Sequence, residues 1–375
     1  MAVDVSIVPC KSYDADVCRT ALTQALAPFG GLDWVKEGMH IVIKVNLVSA
    51  MKPEQAATTH PMLLCELTKM LRERGASVLL GDSPGGLYTA AHLNHVYDVS
   101  GIHDCEAAGA ELNQDFSQSD ASFPEAVCAK KFTYTAYLDR ADAIIDFCKL
   151  KTHGMMGMTN AVKNYFGVIP GTMKPEYHYK YPQISDFSNM LIDLSTYFKP
   201  RLCICDAIVG MEGNGPAGGT LKNVGAVIAS ANPFACDIAS AFVMGYKPEE
   251  VGTLKCAVKR GLCTKSVKEL DIVGESPERF ASDFVRPDAS AGGLLKQLPT
   301  IFGGRLQKLL EPRPTVNKAL CVGCGECARN CPVSAISVEQ KKAHIRSSEC
   351  IKCYCCQEFC PAKAIKVKHF FLLKK

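Results

Sequence analysis

The chain lacks the features that identify secreted and membrane proteins. It has 375 residues, and the segment that starts Met1-Ala2-Val3-Asp4 has no basic stretch before a long apolar one, so no secretory signal is predicted. No segment reaches the ~18 uninterrupted apolar residues of a transmembrane helix, because the most apolar stretch, 224–246, is broken by Asn232, Pro233 and Asp237. We therefore expect a cytoplasmic protein with no transmembrane segment. In that reducing compartment, cysteines are metal ligands or buried side chains rather than disulfides.

Recognisable nucleotide-binding motifs are also missing. The glycine-rich stretches have the spacing of neither a Walker loop nor G-x-G-x-x-G, so no flavin or nicotinamide site is predicted. The formal net charge is only +4, which is too small to indicate nucleic-acid binding. Any two-electron chemistry would therefore need a partner or a site without a known motif.

The first ~280 residues do show a regular alternation of apolar runs and amphipathic stretches. The apolar runs are rich in Val, Ile and Leu and lack strict alternation, which is typical of strands buried on both faces of a parallel sheet. We predict an α/β body at 1–285, with a mainly parallel sheet flanked by helices. A Gly- and Pro-rich linker is predicted at 286–313 and a small cysteine-rich domain at 314–375.

The 20 cysteines are unevenly placed, with nine in the last 55 residues. Two runs share the spacing C-x2-C-x2-C-x3-C-P at an offset of 29 residues, and this spacing is that of bacterial ferredoxins, in which the fourth cysteine ligates the other cluster. We therefore predict two [4Fe-4S] clusters. The ligands are Cys321, Cys324, Cys327 and Cys360 for cluster one, and Cys350, Cys353, Cys356 and Cys331 for cluster two.

Other interpretations of the two runs fit less well. A zinc site uses four ligands in total, and eight cysteines in two identical runs exceed that number. Cys355 falls outside the spacing, and it is either a small side chain near the cluster or an alternative ligand to Cys356. The stretch resembles the two-cluster bacterial ferredoxins, and this resemblance implies a small α+β domain.

The charge of the cysteine-rich region suggests a partner. Residues 314–375 hold 11 Lys or Arg and four Asp or Glu. Iron–sulfur clusters would offset part of this positive charge. The lysines near the C-terminal end predict a docking face for an acidic redox partner, and the alternative is a merely solvated terminus. They are Lys363, Lys366, Lys368, Lys374 and Lys375.

Two polar stretches follow predicted strands in the first third of the chain. Lys44 and Asn46 lie at the end of one apolar strand, and Asp82 and Ser83 lie in the loop 81–86 after the next. Ligands bind at the carboxyl ends of strands in open α/β sheets, and successive N–H groups can bind an anion. The alternatives are a helix cap by Thr58 or Thr59 and a plain strand-to-helix turn.

The densest polar group of the body lies between residues 149 and 164. If 159–164 is helical, Asn160, Lys163 and Asn164 share one face. These side chains suit a carboxylate or phosphate, and a lysine among other cations can have a lowered pKa and transfer protons. Lys151, His153 and Lys163 are therefore the catalytic candidates, and a basic surface is the alternative.

A fourth stretch, 206–219, carries Asp206 and Glu212 in a glycine-rich loop after a strand. It predicts a site for phosphate or for a hard cation held by carboxylates, or else a structural turn. The eleven cysteines of the body include no C-x2-C pair and are interpreted as buried small side chains.

The order of these motifs resembles the domain-of-unknown-function family 362. The motifs are Lys44-Val-Asn46, Thr59-His60-Pro61, Gly81-Asp82-Ser83-Pro84, Lys149-Leu-Lys151-Thr152-His153, Asn160-Ala-Val-Lys163-Asn164, 206–219 and Asn232-Pro233. The match spans roughly 1–285, and many members of that family carry a fused C-terminal ferredoxin module. The resemblance implies the architecture but assigns no reaction.

Three functions are compatible with the sequence. The first is an iron–sulfur electron-transfer protein that feeds electrons to chemistry on, or docked at, the body. The second is a ferredoxin-linked oxidoreductase that reduces a small anionic substrate near Lys151, His153 and Lys163. The third is a redox-sensing or interaction protein. Exposed clusters also suggest oxygen sensitivity and an anaerobic setting.

Overall fold

The computed structural model describes residues 3–289 and 312–368, which form two unequal parts. The predicted linker falls mostly outside these residues, as do Lys374 and Lys375. The strands are β1 (Val5–Pro9), β2 (His40–Lys44), β3 (Ser77–Gly81), β4 (Ala110–Leu112), β5 (Gln118–Ser122), β6 (Lys131–Thr135), β7 (Ala143–His153), β8 (Gly157–Thr159), β9 (Leu202–Glu212), β10 (Thr220–Ser230), β11 (Ile272–Gly274), β12 (Arg313–Val316), β13 (Ile336–Glu339), β14 (Lys342–Ile345) and β15 (Ile365–Lys368). The helices are α1 (Ala15–Leu26), α2 (Pro61–Arg72), α3 (Ala90–Ser100), α4 (Asp104–Ala107), α5 (Ala161–Asn164), α6 (Lys174–Lys180), α7 (Ile184–Phe198), α8 (Pro233–Val243), α9 (Gly252–Lys259), α10 (Glu326–Arg329) and α11 (Cys355–Glu358).

The body is built on a nine-stranded mixed sheet. Its order is β11-β1-β10-β9-β7-β2-β3-β4, with β8 paired to the end of β7. The central pairings β9-β7-β2-β3-β4 are parallel, whereas β10 runs antiparallel to both β1 and β9. This architecture confirms the predicted α/β class with a mainly parallel sheet flanked by helices.

The central strands are apolar because both sheet faces are covered. Every residue of β7 after Ala143 is buried. One face packs on α1, α2 and α3 through side chains such as Leu22, Leu67 and Leu93. The other face packs on α7, α8 and α9 in two further apolar clusters. A strand buried on both sides needs no polar alternation, which explains the continuous apolar runs.

Several elements differ from their sequence-based boundaries. β7 continues past Leu150 to His153 and turns back as β8, a hairpin that the sequence did not reveal. The helix expected over 159–164 is a single turn that begins at Ala161, and Asn160 precedes it in an extended conformation. His60, rather than Thr58 or Thr59, caps α2, because its ring accepts a hydrogen bond from the Met62 N–H. Thr59 instead donates to the carbonyl of Phe147 and accepts from the N–H of Asn46.

The cysteine-rich part folds as a small α+β domain. β12 pairs antiparallel with β15, and β13 pairs antiparallel with β14. The one-turn helices α10 and α11 lie at equivalent places in the two cysteine runs, each after a residue in the left-handed conformation, Gly325 and Tyr354. In the described part of the chain, no helix combines the length and the apolar character needed to cross a membrane.

Candidate functional site

A cavity lies where the carboxyl ends of β2, β3 and β7 meet α5, α6 and the ferredoxin-like domain. Ten of its seventeen lining residues are polar or charged, and these ten come from the segments that follow β2 and β3, from β7, β8, α5 and α6, and from the ferredoxin-like domain. The lining residues are Asn46, Val48, Asp82, Ser83, Pro84, Gly85, Lys151, Thr159, Lys163, Asn164, Phe166, Gly167, Lys174, His178, Pro216, Glu358 and Phe359. The position agrees with the general rule that ligands bind at the carboxyl edge of an open α/β sheet.

An ion pair forms the floor of the cavity. The Nζ atom of Lys44 lies 2.8 Å from Oδ1 of Asp82, and both side chains are almost fully buried. The other oxygen of Asp82 accepts a hydrogen bond from the N–H of Leu47. Gly167 makes this arrangement possible, because a Cβ atom there would lie only 2.0 Å from Oδ1 of Asp82. The pair therefore depends on close contact with a backbone that has no side chain.

Amide side chains extend this network. Asn164 accepts a hydrogen bond from the Nδ2 group of Asn46 (2.9 Å) and donates to Asp146 (2.6 Å). Asn46 in turn accepts from the Nζ group of Lys151 at 2.6 Å, and Lys151 also donates to the carbonyl of Ala57. Lys151 is thus held rigidly inside the wall. Burial, together with Lys163 and Lys149, holds its pKa well below the usual value.

Lys163 differs from the other lysines of the site. Its Nζ atom has no hydrogen-bond or ion-pair partner among residues 3–289 and 312–368, and it lies 5.7 Å from the centre of the Phe166 ring. Burial lowers the pKa of Lys163, while Glu358 and Cys355 oppose this shift. A cation that lines a cavity without a protein partner is suited to bind an anion.

Helix α6 contributes two more titratable groups. Lys174 donates to the carbonyl of Ser83, and burial lowers its pKa to about 7, with Lys44 and Lys163 adding to the shift. His178 stacks on Phe187, and burial lowers its pKa to about 3, so the ring is neutral at pH 7. The i, i+4 spacing of Lys174 and His178 places both on the same face of α6.

Some buried polar atoms of the lining have no partner within the described residues. These atoms are Oγ of Ser83, Oγ1 of Thr159 and Nδ1 of His178. Buried polar atoms in folded proteins are almost always hydrogen-bonded, so unpaired ones need an explanation. Their grouping around one cavity is consistent with a polar ligand site.

The ferredoxin-like domain closes one side of the cavity. Oε1 of Glu358 lies 3.0 Å from Nε2 of His153. Phe359 packs against Gly85, where a Cβ atom would lie 1.7 Å from Cε1 of the phenyl ring. Burial raises the pKa of Glu358, but His153, Lys163 and His178 outweigh it and lower the value to about 2. Glu358 is therefore an ionised carboxylate at neutral pH.

His153 is the partner of that carboxylate. Its Nδ1 atom accepts hydrogen bonds from the N–H groups of Met155 and Met156, so the ring proton resides on Nε2 and points at Glu358. Burial and the neighbouring Lys163 lower the pKa of His153. The contact is thus a hydrogen bond from a neutral imidazole to a carboxylate.

The cysteines of the two runs surround a separate interior. Cys321, Cys324, Cys327 and Cys360 line one cavity, which is the set predicted for cluster one. Burial and the thiols of Cys360, Cys324 and Cys321 raise the pKa of Cys327 to about 11.

The second set is grouped in a similar way. Burial raises the pKa of Cys356 well above its usual value, and Cys353, Cys350, Cys327 and Cys331 raise it further. Crowded thiolates repel one another unless cations lie between them, so both groups fit iron–sulfur clusters.

Backbone groups support these thiols. N–H groups of Ala335, Ala343, Lys352 and Ala364 approach the sulfur atoms of Cys331, Cys321, Cys350 and Cys360 at 3.2–3.4 Å. Hydrogen bonds to sulfur are one of the factors that set cluster potentials. In the described residues, no group of three or more His, Cys, Asp or Glu side chains could hold a single metal ion.

Lys44 and His153 contact residues of the lining without belonging to it, and three further predicted residues lie elsewhere. Asn160 is directed into the core, where its amide donates to Ser240 and accepts from Cys148. Asp206 forms an ion pair with Lys149 (2.6 Å) and accepts from Tyr13. Glu212 accepts from the N–H of Val285.

Sequence reasoning missed Lys174, His178, Thr159, Glu358 and Phe359. The lysine and histidine four residues apart in 174–178 are a signal that could have indicated α6. Nothing in the sequence indicates that the ferredoxin-like domain reaches this cavity, since 195 residues separate Lys163 from Glu358.

Two family descriptions match the chain. Residues 41–242 match domain of unknown function 362, and residues 313–361 match a 4Fe-4S dicluster domain. The second match supports binding of [4Fe-4S] clusters and an iron–sulfur electron-transfer role.

Two characterised sequences are similar to stretches of different length in this chain. A thylakoid-associated protein of Synechocystis is 30% identical over 266 residues, which cover 70% of this chain and 81% of the relative. The ferredoxin-type protein NapF of Escherichia coli K12 is 56% identical over 44 residues, which cover 12% of this chain and 26% of NapF.

Two solved structures align with part of the chain at low similarity. The lactate racemase apoprotein from Thermoanaerobacterium thermosaccharolyticum aligns with a TM-score of 0.41 and 14% identity over 66% of this chain. A protein from Thermotoga maritima aligns with a TM-score of 0.38 and 12% identity over 62% of this chain. The chain spans 58% and 60% of these two structures.

Proposed function

The chain belongs to the domain-of-unknown-function family 362, and on this premise we propose that it is a ferredoxin-linked oxidoreductase that reduces a small anion bound in the cavity. The proposal is carried by one observation. Glu358 and Phe359, which lie between the last two cysteines of the second run, line the same cavity as Lys151 and Lys163. The electron-transfer domain and the anion site therefore share a boundary.

The cysteine groups are assigned as they were predicted. Cys321, Cys324, Cys327 and Cys360 hold one [4Fe-4S] cluster, and Cys350, Cys353, Cys356 and Cys331 hold the second. When bound, such clusters supply electrons one at a time. A reduced redox partner is the source of these electrons, and a reducible group of the bound anion accepts two of them, one from each cluster, together with two protons.

The body residues bind and orient the anion. Lys163 provides the unpartnered cation, and Nε2–H of His153 provides a directed hydrogen-bond donor. Lys44, Asn46, Asp82 and Asn164 form the rigid network that fixes Lys151 and the floor, and Ser83 adds an unpaired hydroxyl. Phe166, Phe359 and Pro216 limit the access of water.

Electron uptake occurs at the opposite run. Cys324 is exposed, and the apolar side chains of Val322 (65% exposed) and Leu320 (45% exposed) lie beside it. Lys318, Lys341 and Arg329 are exposed around this apolar surface, and Glu326 is paired with Arg329. A basic rim around an apolar centre fits an acidic redox protein, because charge complementarity speeds association. This surface lies around the first run rather than only along the lysines predicted at the C-terminal end.

The proposal is tested by anaerobic single-turnover measurements. The holoprotein is reduced, mixed with a panel of small carboxylates and oxyanions, and followed by the visible absorbance of its clusters. Lys163→Ala should slow reoxidation by the effective anion about tenfold to a hundredfold, the usual cost of a lost charged hydrogen bond. Lys163→Arg should retain part of the rate.

The control is Lys265→Ala, which removes an exposed lysine that is not part of the cavity lining. It should leave the rate and the cluster spectrum unchanged. An electron-transfer adaptor without its own substrate would show no acceleration by any anion, and Lys163→Ala would then transfer electrons to a partner at the normal rate. That result would exclude the oxidoreductase.

A further inference from the structure

Glu358 is an unusual residue for its position. It is the last residue of α11, and it lies two residues from Cys356 and two from Cys360, yet its side chain leaves its own domain and enters the cavity of the body. Its side chain is 17% exposed. The equivalent residue of the first run, 29 positions earlier, is Arg329, which is exposed. The ferredoxin fold therefore does not require a carboxylate here.

The contact that Glu358 makes is one that a free carboxylate could make. Nε2–H of His153 is fixed in direction, because the other ring nitrogen accepts from two backbone N–H groups. The backbone thus directs this donor towards Oε1 of Glu358, and Glu358 lines the cavity although His153 itself does not. The nearest acceptor in the described structure is Oε1 of Glu358, at 3.0 Å.

Glu358 leaves several polar groups of the cavity lining without a hydrogen-bond partner. Nζ of Lys163 and the hydroxyls of Ser83 and Thr159 have no partner within the described residues, although all three line the same cavity. Asp82, the other carboxylate of the lining, is by contrast bound by both Lys44 and the N–H of Leu47. A small carboxylate not tied to a helix could contact His153 and Lys163 together.

We infer that the cavity takes small carboxylates and that such a ligand replaces the carboxylate of Glu358 at His153. Glu358 is an internal competitor, so ligand binding and the His153–Glu358 contact exclude each other. This inference rests on the proposed function, because it names the chemical class of the anion bound at that same site.

The test measures binding rather than turnover. Acetate, malonate, phosphate and neutral acetamide are titrated by calorimetry into the oxygen-free holoprotein. Acetate and malonate should bind and acetamide should not. Glu358→Ala should tighten carboxylate binding about tenfold or more, and Glu358→Gln should tighten it by less, because the amide still accepts from His153. Glu339→Gln, at an exposed residue of the same domain outside the cavity lining, should have no effect.

Iron content and visible spectra of the variants verify that the clusters remain. One outcome is that carboxylate binding depends on Lys163 and yet is unchanged in affinity in Glu358→Ala. In that case the inferred competition with Glu358 is wrong, and the proposed function stands. If phosphate binds as tightly as malonate, the carboxylate class is wrong. If no anion binds to the wild type or to Glu358→Ala, the anion site is absent and the proposed function fails as well.

Discussion

The two cysteine runs have the same spacing, but they face different surroundings. In the first run, Cys324 is exposed and Arg329 pairs with Glu326 at the surface. In the second, the equivalent cysteine, Cys353, is only partly exposed, and Glu358 contacts His153 of the body. The two residues before the fourth cysteine account for much of this difference, since Arg329-Asn330 is replaced by Glu358-Phe359. A sequence duplication can thus preserve the ligands while a pair of side chains decides which half docks on another domain.

The largest expected effect comes from removing one ligand from each run. Cys327→Ser and Cys356→Ser should each cost about half of the bound iron, since each breaks one of two [4Fe-4S] sites. The variants should differ in function. Cys356→Ser should abolish reoxidation by the bound anion, whereas Cys327→Ser should mainly slow reduction by a protein donor. Iron analysis and stopped-flow absorbance measure both effects.

Cys263→Ser is the control, because this partly exposed cysteine lies in the body, away from both runs. It should keep the full iron content. Full iron in either ligand variant would contradict the assignment.

The second prediction uses pH to compare a buried cation near the second run with exposed ones. Lys174 has a pKa of about 7 in the fold, against about 10.4 in an unfolded chain. Between these values the unfolded state binds more protons, so the free energy of unfolding should rise with pH, by at most about 4 kcal/mol. Lys174→Met should lack this rise. Urea unfolding at pH 7 and at pH 9.5, without oxygen, measures this rise in the free energy of unfolding.

Lys180→Met is the matched control, because Lys180 lies on the same helix but is exposed. Its pH dependence should equal that of the wild type. If the free energy of unfolding of Lys174→Met rises between pH 7 and pH 9.5 as much as that of the wild type, the buried lysine does not cause the rise.

The third prediction breaks the contact between the second run and the body. Gly85→Ala places a Cβ atom 1.7 Å from the Phe359 ring, and overpacking of this kind costs about 1–3 kcal/mol. We expect faster hydrogen exchange over residues 354–360 and slower reoxidation by the bound anion, with iron content unchanged.

Gly154→Ala is the control and should change neither readout, because among the described residues the added Cβ would meet only Ala289, at an ordinary distance of 3.4 Å. Unchanged exchange over 354–360 in Gly85→Ala would show that Phe359 does not hold the two domains together.

The smallest effect concerns the first run. Lys341→Glu reverses one charge beside Val322 and Cys324, and it should lower the association rate with an acidic two-cluster ferredoxin about tenfold at low salt. The difference should shrink as ionic strength rises, because salt screens exposed charges. Surface plasmon resonance at two salt concentrations measures the association rate. Reduction of the clusters by dithionite supplies a second readout. Lys265→Glu, on the body, should leave the rate unchanged, and equal rates for both variants would place the donor elsewhere.

Part of the candidate site could be predicted because its residues follow strands. Lys44 ends β2, and Asn46, Asp82 and Ser83 follow β2 or β3. Parallel strands bring their carboxyl ends to the same edge. The helical spacing of 159–164 was less informative. Only one turn forms, so Asn164 joins the cavity network while Asn160 packs against Ser240 in the core.

Asp206 and Glu212 show another limit of the sequence. Both occupy a strand with a glycine-rich continuation, as in many ligand sites, but their carboxylates are bound by Lys149, Tyr13 and Val285 of the protein itself. A motif states which groups are present, and only the fold decides whether a protein partner already satisfies them.

Apolar periodicity and cysteine spacing are local properties of the chain, so the α/β class, the ferredoxin repeat and the family could all be predicted from the amino-acid sequence. The contacts of Glu358 with His153 and of Phe359 with Gly85 become visible only in the folded protein. These contacts join residues about 200 and 270 positions apart, and they depend on shape, such as the space left by a missing side chain at Gly85. No periodicity encodes such a contact, because its energy arises from burial and charge that exist only once both domains have folded and packed together.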